Sequence, residues 1–419
     1  MYPLNRQQWS GKVAVCCAVL LSLVSEFVQA DEKQKTPSRP QLPVAAIVTE
    51  YRTNSHADVI VGKILEGYRQ DGGPGPDLRI VSMYRDQVPA QDLSQDLAKK
   101  HGFLIAKTIE EAIVAPSGED QIAGVLSIGE HGTYPSTPDT GQLMYPRRRF
   151  FDEIVAAMKK TGRIVPVFND KHLAYSWEDA KHMYDTAKKL QMPFLAGSSL
   201  PVTWREPTIA LPMGCEIEEA LVSGYGGLEA YGFHSLESLQ SVVERRRGGE
   251  TGVWSVQAVR GEQIEKAESE GRWSRSLLNA VLRASGKGDL ADAKLKLNDQ
   301  AAIYLVEYRD GFRGSVVMAP GVFDQWMVAV KLRGKEKPFV TWMKTENKQP
   351  YGHFEFLVKA IDHTIHTGRP AYPVERTLLT TGVLDAVMHS LMQDGKRIAT
   401  PELAIQYRSA DWAFGNRSE

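Results

Sequence analysis

The chain has 419 residues, enough for two domains or one large one. Its 50 Lys and Arg offset 51 Asp and Glu to a formal charge of −1, so nothing suggests a nucleic-acid partner. Hydrophobic residues make up 42% and charged residues 24%, as in an ordinary globular protein, and no stretch after residue 30 is long and apolar enough to span a bilayer.

The first thirty residues read as a Sec-type secretory signal. Arg6 and Lys12 supply the positive region, residues 13–24 the apolar core, and Val28-Gln29-Ala30 a small-x-small cleavage site. Cleavage after Ala30 implies a secreted or periplasmic protein. It also removes Cys16 and Cys17, leaving Cys215 as the only thiol, so no intramolecular disulfide forms in the mature chain. Residues 31–41 are polar and Pro-containing and read as a linker.

Strand and helix signals then alternate. Strands are predicted over 44–49, 79–84, 103–106, 122–128, 164–169 and 193–196. The helices between them are predicted over 56–68, 94–101, 108–114, 149–161 and 176–190, the last with Ser176 as cap and Asp179 as its partner. This alternation specifies a doubly wound parallel sheet with helices on both faces over 42–203. Near residue 204 the pattern changes. Period-two segments fall at 254–260, 301–308, 315–318, 325–332 and 338–343, with turns at Arg309-Asp310-Gly311 and Arg333-Gly334-Lys335. Helices are predicted at 236–246, 274–283, 353–366 and 378–393. An α+β domain with an open antiparallel sheet is therefore expected over 204–407, followed by a tail over 408–419.

Several stretches point to one family. Phe168-Asn169-Asp170-Lys171-His172-Leu173, followed by Ser176-Trp177-Glu178-Asp179-Ala180, resembles the Glu-Lys-Pro-Leu box of the glucose–fructose oxidoreductase / inositol dehydrogenase (Gfo/Idh/MocA) family. Gly226-Gly227-Leu228-Glu229-Ala230-Tyr231-Gly232-Phe233-His234 resembles that family's Gly-Gly…Asp-x-Gly-x-His motif. Residues 92–102, with Leu97-Ala98 and Gly102, resemble the helix after its second strand, and Pro373-Val374-Glu375-Arg376 through Pro401 its closing helix and strand. The resemblance spans about residues 42–407 and implies a Rossmann-like domain, NAD or NADP as cofactor, and a sugar or polyol hydroxyl or ketone as substrate. It further implies Lys171 and His234 as the groups that handle the proton, with Asp170 beside them, and a homo-oligomer formed through the open sheet.

The departures from the family pattern are as informative. Its first strand runs into G-x-G-x-x-G, whose glycines admit the pyrophosphate. Aligned on His56, those positions here hold Val48, Glu50 and Thr53. Glu50 adds negative charge where phosphates would lie, and Arg52 is the one residue of the turn that compensates. Asp86 is the nearest candidate for the ribose-binding acid after the second strand. His172 replaces the box proline, Asp170 its glutamate, and Ala230 the aspartate four residues before His234.

Ligands of open parallel sheets sit at the carboxyl ends of the strands. Those ends supply Glu50 and His56, then Glu130 and His131 from Gly129-Glu130-His131-Gly132, then Asp170, Lys171 and His172. His56, Glu130 and His131 are thus candidates for the cofactor rim. His172 and Trp204 are candidates for the substrate, Trp204 by stacking on a sugar ring. Three functions follow: an oxidoreductase on a sugar or polyol; a non-redox or metal-assisted carbohydrate lyase or hydrolase, with His56, Glu130, His131 and His172 as candidate ligands of a divalent metal; and a carbohydrate-binding protein without catalysis. The arginine runs 147–149 and 245–247 read as solvated helix ends.

Overall fold

A computed structural model describes residues 39–288 and 300–417. The predicted signal segment lies outside the described residues. From Gln41 on, the chain forms one compact unit.

The first sheet contains β1 (Leu42–Val48), β2 (Leu78–Arg85), β3 (Leu104–Ala106), β4 (Gly124–Ile128), β5 (Val167–Asp170) and β6 (Phe194–Gly197), all parallel, in the order β3-β2-β1-β4-β5-β6. Val44 to Val48 are fully buried because helices cover both faces, which is why this strand is a continuous apolar run rather than an alternating one. Each such Val or Ile contributes about 1.5–3 kcal/mol on burial. The helices are α1 (His56–Leu65), α2 (Ser94–His101), α3 (Ile109–Val114), α4 (Arg147–Thr161) and α5 (Trp177–Lys189). Side chains cap three of them: Ser55 for α1, Thr108 for α3 and Ser176 for α5. Helix α2 stops at Gly102, whose φ of 75° suits the left-handed cap. The order reverses between β1 and β4, which puts the topological switch point beside the ends of these two strands.

The second sheet has eight strands in the order β14-β9-β10-β11-β8-β12-β13-β7. These are β7 (Trp204–Glu206), β8 (Ile217–Gly224), β9 (Val253–Val259), β10 (Ala302–Tyr308), β11 (Arg313–Met318), β12 (Trp326–Leu332), β13 (Phe339–Lys344) and β14 (Ile398–Ala399). The two predicted hairpins, β10–β11 and β12–β13, are present. The sheet is mixed rather than purely antiparallel, because β8 inserts between β11 and β12 and runs parallel to β11. One face packs on α6 (Ala230–Val243) and α10 (Val374–Met392) through Val222, Leu239, Tyr304, Val316 and Leu379. The other is covered by α7 (Glu262–Ser269) and α8 (Arg275–Ala284), whose Ile264, Trp273, Leu278 and Val281 share a core with Ile303, Leu305, Val317 and Met327. The chain between β9 and β10 thus covers part of this face of the sheet. Helix α9 (His353–Thr367) returns to the first sheet, where Leu357, Val358 and Ile361 pack with Val44, Ala46 and Ile60.

Candidate active site

A cavity of about 340 Å³ opens at the switch point between the two sheets. His56 at the start of α1, Glu130 and His131 after β4, and Lys171 after β5 line it from the first sheet. His234 and Tyr231 on α6, Trp326 on β12, and His353 and Phe354 on α9 line it from the other side.

Glu130 is the electrostatic centre. Its carboxylate accepts a hydrogen bond from Lys171 Nζ at 2.8 Å and a second from the Arg147 guanidinium. Arg147 is fully buried, which corrects the reading of its arginine run as solvent-facing; Arg148 and Arg149 alone reach the surface. It fits because Gly129 has no side chain, and a Cβ there would meet Arg147 Cγ at 2.7 Å. Burial by itself raises the Glu130 pKa, but the Lys171 and Arg147 charges outweigh it and hold the carboxyl well below the usual range.

A second pair lies alongside. His56 Nδ1 is 2.6 Å from Asp170 Oδ2. That contact places the ring proton on Nδ1 and leaves Nε2 as an acceptor for the cavity. The His56 backbone N–H donates to His131 Nδ1 at 3.3 Å. His131 and His353 are both pushed down to about 3, mainly by burial, so both are neutral at ordinary pH. Burial and the Lys171 charge push His234 well down too, and its Nδ1 is buried without a partner. Tyr231 and Trp326 stack, with ring centroids 5.4 Å apart, and Tyr225 packs on Trp326 at 4.4 Å.

Seven non-glycine residues among those described have positive φ, and four of them line this cavity: Asn54 (62°), His131 (71°), Lys171 (61°) and Tyr351 (51°). Four left-handed residues thus converge on one pocket.

The other sequence candidates lie elsewhere. His172 does not line the cavity; its Nε2 faces the Arg147 guanidinium at 2.9 Å and its ring packs on Phe233, so it supports Arg147. Trp204 packs edge-on against Phe356 at 5.0 Å and does not line the cavity. The proposed metal ligands do not assemble. Both Glu130 oxygens and His172 Nε2 are taken by Arg147 and Lys171. Among the described residues the only triad of mutually close His, Asp or Glu donors is Asp77, Asp362 and His366, which is a different set. Sequence reasoning missed Tyr225, Tyr231, Trp326 and His353, because α6, β12 and α9 meet only in the folded chain.

The nicotinamide groove implied by this fold is not matched by the residues at the β1–α1 turn. The donors at the head of α1 that would cradle a pyrophosphate already have partners within the chain. Asn54 N–H donates to Asp58 Oδ2, Asp58 N–H to Ser55 Oγ, Ser55 N–H to Arg52 O, and His56 N–H to His131. Two carboxylates, Glu50 and Asp58, stand in the same turn, and Arg52 is bound to Glu50 at 2.7 Å. Thr53 is exposed, and its carbonyl accepts from Arg52 at 3.3 Å. Asp86, the candidate ribose acid, accepts from Tyr84 at 2.9 Å, Tyr134 at 2.7 Å and Arg149 at 2.5 Å, which leaves little capacity for a ribose hydroxyl.

No protein-family model and no curated protein sequence matches the chain. Solved structures do. GenD2 from gentamicin A biosynthesis, in complex with NAD, superposes with a TM-score of 0.56 at 14% identity, covering 86% of this chain and 97% of its own. A probable dehydrogenase from Thermotoga maritima gives 0.53 at 13% identity, covering 86% and 100%. A putative myo-inositol dehydrogenase from Sinorhizobium meliloti gives 0.52 at 13%, covering 86% and 99%. The fold is therefore that of the Gfo/Idh/MocA-type dehydrogenases, as the motif resemblance implies. Identities this low establish fold and leave the activity to the site.

Proposed function

We propose that the chain is an enzyme that uses this dehydrogenase fold to move a proton on a carbohydrate-type ligand, a sugar or polyol derivative carrying a carbonyl, without a nicotinamide in the β1–α1 turn. The observation that carries the reading is the convergence of His56–Asp170, Lys171–Glu130 and His234 on one cavity that also presents Tyr231 and Trp326. His56 Nε2 takes the proton from the carbon next to the carbonyl. The C–H electron pair moves into the enolate, and Lys171 Nζ hydrogen-bonds the oxygen on which charge develops. Return of a proton to the same carbon closes a redox-neutral cycle. Asp170 and Glu130 are positioning residues, and His234 orients a ligand hydroxyl. Tyr231 presents an aromatic face to the apolar side of the ring.

A second reading, a nicotinamide-dependent sugar or polyol oxidoreductase, is favoured by Lys171 and His234, which reach the cavity from the positions where the resemblance puts the family's lysine and histidine. Incubation of the protein with keto- and aldo-sugars in deuterated buffer separates the two. Solvent deuterium at the carbon beside the carbonyl, lost by about 10²–10⁴-fold in His56→Asn, supports proton transfer. Polyol-dependent NADH formation without exchange supports the second reading and overturns the first. Export through the N-terminal segment is part of the proposal, and N-terminal sequencing of the natural protein, with Asp31 expected first, tests it.

A further inference from the structure

A second cavity, of about 20 Å³, lies where strand β7 meets the C-terminal tail. It is small and strongly cationic. Arg205, Arg245, Arg376 and Arg417 all line it. Two carboxylates serve three of the four guanidinium groups: Glu244 binds Arg376 at 2.5 Å, and Asp411 binds Arg245 at 2.7 Å and Arg417 at 2.5 Å. Glu244 also accepts from Tyr407 at 2.7 Å.

Arg205 is the group left over. It is 5% exposed, its Nε has no hydrogen-bond partner, and its other contacts are long: 3.4 Å to Ile209 O and 3.4 Å to Pro201 O. Phe414 stacks under the guanidinium at 4.1 Å and shields it from water. Among the described residues no carboxylate pairs with it. Burial, with Arg245 and Arg376 nearby, lowers its pKa to about 9. A buried cation without a counter-charge costs several kcal/mol, and natural chains rarely leave one so. Other buried arginines here, such as Arg147, Arg246 and Arg376, each have a carboxylate.

We propose that this cavity is a binding site for a single small monovalent inorganic anion of chloride size, held by Arg205 Nε with Arg245, Arg376 and Arg417 around it. The volume is enough for one water-sized or slightly larger occupant. The anion completes the clamp by which the tail is held to β7, where Asn416 bonds both the N–H and the C=O of Arg205 at 2.9 Å. Its role is to make the fold's closure depend on halide.

The test is thermal unfolding of the full chain in sodium chloride or bromide against sodium gluconate at matched ionic strength, with a crystal soaked in bromide. A rise in Tm of about 2–4 °C at ~0.1 M halide, and an anomalous bromide peak beside Arg205 Nε, are expected. Arg205→Met keeps the stem and removes the charge, and is expected to abolish the halide dependence. If that variant fails to fold, Arg417→Gln at the rim is expected to weaken it. Equal Tm in chloride and gluconate, a halide response that persists in Arg205→Met, or water alone at the position would each overturn the proposal.

Discussion

Replacing Glu130 by Gln keeps its shape and removes one charge, so the consequence is electrostatic. Arg147 has no exposed side-chain surface, and Lys171 retains 4%. Both would lose the carboxylate that stands between them. Breaking a buried ion pair on one side costs about 3–5 kcal/mol, mostly as the penalty on the charge left behind. Glu130→Gln is therefore expected to lose about 3–5 kcal/mol in urea unfolding at pH 7. Adding Arg147→Met should recover part of that loss, since one stranded cation leaves with it. The pH dependence follows from the same pair. The folded-state pKa of Glu130 is depressed, so its stabilisation is complete above the unfolded carboxylate value of 4.5 and is lost as pH falls below it. The native protein should thus show a steeper acid limb than Glu130→Gln. A loss under about 1 kcal/mol, or an unchanged acid limb, would refute the account of Glu130 as the charge centre.

His131 and His353 keep pKa values of about 3 against the ordinary 6.5, so the unfolded chain takes up protons before the folded one does. Stability then falls as pH drops from 6.5 towards 3, by up to about 1.4 kcal/mol per pH unit for each histidine. Urea midpoints at several pH values should show the slope of His131→Gln reduced by about one proton, and an unchanged slope would count against a buried neutral His131. Tyr231→Ala removes the stacking face and should raise the Kd of a bound sugar about 10-fold in calorimetric titration, while leaving the unfolding midpoint nearly unchanged because Tyr231 is 38% exposed. An unaltered Kd would move the ligand away from Tyr231.

The parallel sheet was readable because strands buried on both faces, such as Val44 to Val48, print as unbroken apolar runs between helix caps. Strand β8 was not, because Ile217–Gly224 opens with two acidic residues and ends in the glycine-rich segment that precedes α6. Glu130, His131, Lys171 and His56 were found from strand ends, a rule that depends on topology alone. Arg147 could not be told from Arg148 and Arg149 by sequence, since its burial depends on the missing side chain of Gly129 across the site. The same holds for Arg245 and Arg246, which are buried while only Arg247 is exposed. Trp204 and Trp326 are equally aromatic in sequence. Only the packing of Trp204 on Phe356 and of Trp326 on Tyr231 decides which one faces the cavity.

The central claim is that this dehydrogenase fold works without a dinucleotide in the β1–α1 turn, and direct titration of the purified full chain with NAD(H) and NADP(H) tests it. The filled helix donors and the paired Glu50, Asp58 and Asp86 predict no saturable binding up to ~1 mM, so that any binding is weaker than about 4 kcal/mol. Saturable micromolar binding of either nucleotide would contradict the account and make the chain a nicotinamide enzyme.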